Sequence, residues 1–139
     1  MASKELIEGL NRALAMDLRA IVQYMWQYVM AQGEEREAVR KVFRKIALQE
    51  MHHAESFAER IKYLGGVPTT SPADITVGTT LRKMVELDFE SENESIEQCK
   101  RVIALAVREN DPVTKLLVEK ILSETEEHAD SYMKLLGAK

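Results

Sequence analysis

The sequence predicts an all-α protein, an antiparallel four-helix bundle in which a long crossover joins the second and third helices. Apolar residues recur at steps of three and four through four long segments, which is the period of a helix with one buried face. Glycine and proline cluster between those segments, where they commonly end helices. A chain of 139 residues is long enough for one core and short for two. We therefore expect one domain over residues 1–139, without a fifth helix.

The composition suits this fold and argues against several classes of function. Hydrophobic residues make up 45% of the chain, charged residues 30%, and the net charge is -4. The basic residues are spread along the predicted helices, so neither nucleic acid nor an anionic membrane is an expected partner. The N-terminus lacks the pattern of a leader, and no run of about eighteen apolar residues occurs, which predicts a cytoplasmic protein. The lone Cys99 lies on a buried stripe and is interpreted as a core residue.

The first helix is predicted to begin at Ser3, a favourable N-cap, and to extend to about Gln32, before Gly33. Its buried stripe is apolar except at Asp17. A second face is also apolar, which a helix in a lone bundle does not require. This second face predicts a contact with another copy of the chain, and it consists of Val22, Met25, Trp26, Val29 and Met30.

The second helix is predicted from about Glu35 to Leu64, and its short connection to the first makes the two antiparallel neighbours. The next stretch, Gly65 to Thr79, is rich in glycine, proline, serine and threonine. About fifteen extended residues reach roughly 50 Å, whereas a helix of about thirty residues spans roughly 45 Å. The stretch can therefore cross the whole bundle, which would make the third helix parallel to the second.

The third helix is predicted from Thr79 or Thr80 to about Asn110, with either Asp88 or Phe89 on its buried stripe and Glu92 near its centre. Asp111 and Pro112 then form an N-cap followed by a first-turn proline, so the fourth helix begins there and runs antiparallel to the third. This fourth helix carries a polar residue, His128, on its stripe.

The polar residues of the four stripes are expected at one height in the bundle. Asp17 and Glu50 are equally distant from the turn that connects the first and second helices, and Glu92 and His128 are equally distant from the turn that connects the third and fourth. Glu50 and Glu92 lie at heights that differ by roughly 5 Å along parallel helices. His53 is one turn from Glu50 on the same face. The spacing thus predicts one layer that contains three carboxylates and two imidazoles.

Such a layer in an apolar interior suits a divalent metal, iron or manganese before zinc. An unpaired carboxylate in a core is costly, so Glu50 needs a cation, a hydrogen-bond partner or a proton. The alternative is a hydrogen-bonded core network without metal, in which every buried polar group must find its own partner.

These residues resemble the ferritin-like superfamily, and within it the bacterioferritins, over nearly the whole chain. The first-helix segment resembles the motif that carries a metal-binding carboxylate, and the second-helix segment resembles a Glu-x-x-His motif. The parts that carry the resemblance are Leu14–Tyr24, Glu50–Glu55, Ile61–Pro68, Glu92 and Ile121–Asp130.

The resemblance implies a centre at which two Fe(II) ions are oxidised by dioxygen or peroxide. Glu50 would bridge the two ions and act in catalysis, while His53 and His128 would each bind one ion. Asp17 and Glu92 would be the terminal carboxylate ligands. The same ligands could hold manganese or zinc.

The fourth helix departs from the family pattern. Thr125 stands where the family has a second bridging Glu, and Asp17 is one methylene shorter than the usual Glu. Glu124, one turn before His128, is the candidate replacement ligand, and Glu126 points about 100° further round the helix. Two functions stay open: an iron-oxidising protein for iron handling, storage and protection from oxidative stress, or a non-catalytic dimeric bundle that holds one metal or a haem.

Two further residues have candidate roles by resemblance. Tyr24 is expected either to hydrogen-bond a ligand and act in electron transfer or to be a plain core tyrosine. Met51 matches the position at which bacterioferritins ligate haem across a two-fold dimer contact, although haem-free relatives share this segment. The expected assembly is a homodimer at least, or a larger shell.

Overall fold

The structure, a computed structural model, describes residues 2–137. In these residues the chain forms four helices and no strand, which confirms the all-α prediction, and each predicted helix end lies within two residues of the observed one. No helix in this range is both long enough and apolar enough to cross a membrane. The predicted domain also includes Met1, Ala138 and Lys139, which lie outside the described residues. The expectation that no fifth helix follows the fourth helix concerns that same C-terminal end of the chain. The helices are α1 (Lys4–Met30), α2 (Arg36–Tyr63), α3 (Leu81–Arg108) and α4 (Pro112–Leu135).

Side chains of the local sequence cap three of the four helices. Ser3, Thr80 and Asp111 each accept a hydrogen bond from the backbone amide three residues further on, at 3.0, 3.1 and 3.1 Å. Each bond satisfies one of the amide groups that a helix leaves free at its start. Between α1 and α2 the chain turns at Gly33, whose φ of 106° favours glycine.

The helices are ordered as the crossover topology requires. Arg60, near the end of α2, contacts Asp111 at the start of α4 at 3.0 Å, so these two helices are antiparallel. The side chain of Gln98 on α3 donates to the carbonyl of Gly9 near the start of α1 at 3.0 Å. Since α3 and α4 are joined by a tight turn, α3 runs parallel to α2, and the predicted crossover is confirmed.

The crossover between α2 and α3 is fastened along α1. The side chain of Asn11 donates to the carbonyl of Val67 at 3.0 Å and accepts from the amide of Thr69 at 2.8 Å. Further along, Gln27 donates to the carbonyl of Val77 at 2.9 Å. These anchor points on α1 are about 24 Å apart. The crossover therefore follows α1 past the height of Asp17.

Two apolar clusters fill the bundle, one on each side of the predicted polar layer. The burial of these side chains excludes water and supplies most of the stability of such a fold. The cluster at one end includes Leu6, Leu10, Leu14, Phe57, Ile61, Cys99, Val102, Val118 and Ile121. The cluster at the other end includes Tyr24, Val39, Phe43, Ile46, Met84, Val85 and Tyr132.

Candidate metal centre

Five polar side chains from all four helices meet between the two apolar clusters. Asp17 comes from α1, Glu50 and His53 from α2, Glu92 from α3 and His128 from α4, and none is more than 3% exposed. Their ligand atoms form two groups of three, with all atoms of a group within 4.8 Å of one another. Glu50 belongs to both groups. The structure thus brings together all five residues that the helix spacing places in one layer.

The two imidazoles present the same nitrogen, Nδ1, to the carboxylates. Nδ1 of His128 lies 2.8 Å from Oε1 of Glu50 and 3.2 Å from Oε1 of Glu92. Nδ1 of His53 lies 3.6 Å from Oε1 of Glu50. The two rings stack with their centroids 5.7 Å apart. Nδ1 is therefore the nitrogen that each histidine offers to a metal.

The outer nitrogens of both rings also have partners. Nε2 of His53 lies 2.8 Å from Oε2 of Glu124, and Nε2 of His128 lies 2.7 Å from Oε1 of Gln49. Glu124 was predicted as a replacement ligand; the structure places it behind His53, and the ligand groups found in residues 2–137 do not include it. Gln49 could not be identified from the sequence, because a half-buried residue beside Glu50 has no periodic signal of its own.

Several buried atoms in the layer lack a hydrogen bond. Among the described residues, Oδ2 of Asp17, Oε1 of Glu50 and Nδ1 of His53 have no hydrogen-bond partner. The short approach of His128 to Glu50 is an ion pair whose atoms are not aligned for a hydrogen bond. Buried polar atoms without partners are costly, and a divalent cation would satisfy these carboxylate and imidazole atoms. The residues present therefore fit a metal.

Ionic attraction dominates at the centre of the layer. Burial alone would raise the pKa of Glu50, but the imidazoles of His128 and His53 outweigh burial and lower this pKa to about 2. Burial alone would lower the pKa of His128, but the carboxylates of Glu50 and Glu92 raise it to about 10. In the same way, Glu50 and Glu124 raise the pKa of His53 against the effect of burial. Without metal, the histidines therefore balance the charge of the shared carboxylate.

The two terminal carboxyls behave differently. Burial, followed by repulsion from Glu50, raises the pKa of Asp17 well above its ordinary value. The same two causes raise the pKa of Glu92 to about 7. Without metal these carboxyls resist ionisation, because there is not enough positive charge in the layer to stabilise three carboxylates.

The metal-free protein is expected to lose stability as the pH rises from about 5 to about 8. The raised pKa values of Asp17 and Glu92 mean that folding opposes their ionisation, and those of His53 and His128 mean that folding favours their protonation. All four groups thus act in the same direction, and Glu50 opposes them only below its ordinary pKa of 4.5. Denaturant unfolding should give a free energy of unfolding lower by at least about 2 kcal/mol at the higher pH. Glu92→Gln should reduce this difference, and an equal or higher value at the higher pH would contradict the prediction.

Thr125 lies in the layer but contributes no charge to it. The residue is buried, and its hydroxyl donates to the carbonyl of Ile121 one turn earlier at 2.8 Å. This hydroxyl is therefore committed to the backbone of its own helix. Within the two ligand groups the carboxylates are those of Asp17, Glu50 and Glu92.

Tyr24 and Met51, the other two predicted site residues, occupy contrasting positions. The hydroxyl of Tyr24 is buried and donates to Oε2 of Glu92, so Tyr24 contacts one of the five layer residues directly. Burial and the charge of Glu92 raise the pKa of this phenol well above its ordinary value. Met51 lies on the outer side of α2 and is 46% exposed. Only Tyr24 is part of the buried layer.

A second buried polar cluster lies one turn from Glu92. Asp88, not Phe89, occupies the buried stripe, and it accepts a hydrogen bond of 2.8 Å from Gln23. The side-chain oxygen of Gln23 accepts a hydrogen bond of 3.3 Å from the backbone amide of Thr76 in the crossover. This cluster was not predicted, although Gln23 and Gln27 lie four residues apart in the sequence beside Tyr24. Its hydrogen bonds fasten the crossover next to the candidate centre.

The fold and this layer define a class: a four-helix bundle with a candidate metal centre of carboxylates and histidines in its core. The sequence model of the Ferritin-like domain matches residues 7–138. The chain therefore belongs to the ferritin-like family.

The relatives in this family include bacterioferritins. The chain is 37% identical to the bacterioferritin of Desulfovibrio desulfuricans over 129 residues, which are 92% of this chain and 72% of that protein. It is 32% identical to the bacterioferritin of Mycobacterium leprae over 127 residues, which are 91% of this chain and 80% of that protein. A solved structure described as a ferritin-like, diiron-carboxylate protein from Bacillus anthracis str. Ames matches with a TM-score of 0.94 and 32% identity, covering 98% of this chain and 99% of that one.

Proposed function

We propose that this protein binds two iron ions between its four helices and oxidises Fe(II) with dioxygen or peroxide, in iron handling or storage and protection from oxidative stress. The observation that carries the proposal is the pair of three-residue ligand groups that share Glu50. Carboxylate-rich sites with imidazole favour iron or manganese over zinc. The name diiron-carboxylate, given to a solved relative of nearly equal length, supports the same metal.

Each residue has a distinct task in this proposal. Glu50, which both groups share, would hold both ions, Asp17 and His53 would complete one position, and Glu92 and His128 would complete the other. Iron bound there would supply the electrons that reduce the oxidant. The three carboxylates offset the positive charge, which increases as the iron is oxidised, and the flanking apolar clusters keep bulk water away.

Tyr24 supports the position of Glu92. Its hydroxyl donates to the Glu92 oxygen that does not face His128, so the carboxylate is held from both sides. A hydrogen-bonded outer partner of this kind orients a metal ligand. A role for Tyr24 in electron transfer stays a prediction.

The first test is an anaerobic Fe(II) titration of the metal-free protein, followed by exposure to oxygen with ultraviolet absorbance recorded. We expect about two irons per chain and oxidation much faster than in buffer, as a complete centre requires. His53→Ala should remove one iron, whereas His52→Ala, which changes an exposed neighbour, should remove none. One iron or none, with oxidation no faster than in buffer, would contradict the proposal.

The placement of Thr125 favours a second candidate function. Its hydroxyl is bonded to the carbonyl of Ile121, so the family's second bridging carboxylate has no counterpart at this position. A non-catalytic bundle that holds a single metal is the function that this feature alone would support. The same titration separates the candidates, because a single-metal protein would saturate at about one iron and would not accelerate oxidation.

The surface supports a homodimer as the assembly. Exposed apolar side chains lie along α1, where Met25 is 55% and Val29 is 67% exposed, and Trp26 is 38% exposed between them. Exposed apolar patches of this kind commonly mark contacts between proteins. Met51 is also exposed, on α2. A haem bound by Met51 between two copies, a larger shell and a cytoplasmic location stay predictions.

A further inference from the structure

The two histidines of the centre are supported from behind by different kinds of residue. Behind His53 lies the carboxylate of Glu124, 2.8 Å from Nε2. Behind His128 lies the side-chain amide of Gln49, whose Oε1 is 2.7 Å from Nε2. Both partners are half-buried at the edge of the layer, and both come from α2 or α4. The hydrogen bonds are therefore alike in length and differ in charge.

An oxygen acceptor at Nε2 determines which ring nitrogen can bind metal. A carboxylate or amide oxygen only accepts, so the Nε2 that faces it must carry the hydrogen. Nδ1 is then free to offer its lone pair to a metal, and in both rings Nδ1 is the nitrogen that faces the shared carboxylate. Partners of this kind fix the tautomer and the ring orientation of a metal-binding histidine and increase its basicity.

The charge of Glu124 is relevant to the centre because Thr125 contributes no carboxylate there. The buried ligand carboxylates are Asp17, Glu50 and Glu92, which carry three negative charges against four positive charges on two divalent ions. Glu124 is the neighbour of Thr125 in the sequence and reaches the centre through the imidazole of His53. A fourth negative charge is thus present, but it acts on one side of the centre only.

We propose that Glu124 and Gln49 are positioning residues that make the two metal positions unequal, so that the position of Asp17, Glu50 and His53 takes up a divalent cation first. The carboxylate behind His53 strengthens that position, whereas the neutral amide behind His128 orients its ring without adding charge. This inference rests on the proposed function, since it concerns the same centre. It adds an order of filling and identifies the residues that set it.

The test uses Co(II), which binds to such ligands without being oxidised under anaerobic conditions and reports its ligands by visible absorption. Titration of the metal-free full chain should show two binding events that differ in affinity by about tenfold. Glu124→Gln keeps the size and the acceptor oxygen of the side chain but removes its charge, so the two affinities should converge. Gln49→Glu should tighten the weaker event, and the double variant should reverse the order of filling.

Proton NMR of the Co(II) protein identifies which position fills. A histidine bound through Nδ1 shows one strongly shifted, exchangeable Nε2–H signal, and the signal that Glu124→Gln displaces belongs to His53. That signal should appear first in the wild-type protein and second in the double variant. Glu126→Gln, an exposed change of the same charge on α4, is the matched control and should alter neither affinity.

Each contrary outcome has a distinct meaning. Two Co(II) ions bound with equal affinity in the wild-type protein, or affinities that Glu124→Gln and Gln49→Glu leave unchanged, would overturn this inference alone. Ordered Co(II) binding without accelerated Fe(II) oxidation would overturn the proposed function and leave the inference intact. A wild-type protein that binds no Co(II) would overturn both.

Discussion

Glu50→Gln is expected to abolish metal binding at both positions of the centre, whereas Asp17→Asn and Glu92→Gln should each weaken one. Glu50 is the one residue that both ligand groups share. The neutral amide of the glutamine that replaces it can neither bridge two cations nor balance their charge. The loss of affinity should exceed the roughly 10- to 100-fold that an outer hydrogen-bond partner of a ligand contributes. Anaerobic Fe(II) titration with chelator competition measures this loss of affinity.

The matched control for Glu50→Gln is Glu55→Gln, which makes the same change on an exposed position of α2. It should leave the stoichiometry at about two ions per chain and the affinities unchanged. Circular dichroism must show native helix content for both variants. A folded Glu50→Gln protein that still binds one ion tightly would show that the two groups do not depend on a shared bridge.

Thr125→Glu is expected to weaken the metal-free fold and to tighten binding of the second metal. Thr125 is buried, and a carboxylate there would add a fourth negative charge to a layer in which Asp17 and Glu92 already resist ionisation. An uncompensated buried charge costs about 3 kcal/mol or more, so the metal-free protein should lose about that much stability. Two bound cations would remove the penalty. Denaturant unfolding with and without metal, together with the oxidation rate, measures both effects.

Thr125→Val tests the loss of the hydroxyl without the added charge of Thr125→Glu. It keeps the shape of the side chain and removes only its hydrogen bond to Ile121. Metal stoichiometry should not change in this variant, and stability should fall by about 1 kcal/mol. If Thr125→Glu left metal affinity and oxidation rate at wild-type values, the carboxylate would not be reaching the two positions, and the comparison with the family's bridging Glu would not hold.

The helices and their order could be predicted because their signals are local or follow from chain length. The caps at Ser3, Thr80 and Asp111 are side-chain effects within one turn, and all three are present in the structure. The parallel arrangement of α2 and α3 follows from the reach of the crossover. The equal heights of the polar residues follow from the constant rise of a helix, so residue spacing alone predicts the layer of five residues.

The partners behind the ligands could not be predicted in this way. Gln49 lies beside Glu50 in sequence but about 100° further round α2, and only the side-by-side packing of α2 and α4 brings its amide to His128. Glu124 was predicted as a metal ligand, whereas its contact with the outer nitrogen of His53 depends on rotamers that a sequence does not specify. Periodicity identifies the face of a helix, whereas the contacts across that face depend on packing.

Because Glu50 belongs to both ligand groups, a bound metal would also affect the unfolding rate of the protein. Glu50 belongs to the hairpin of α1 and α2, whereas Glu92 and His128 belong to the hairpin of α3 and α4. A cation held by these three side chains would join the two hairpins as a crosslink does, so they could not separate before the cation left. The lifetime of the native state would then follow the dissociation rate of the metal, and a chelator would act as a kinetic denaturant.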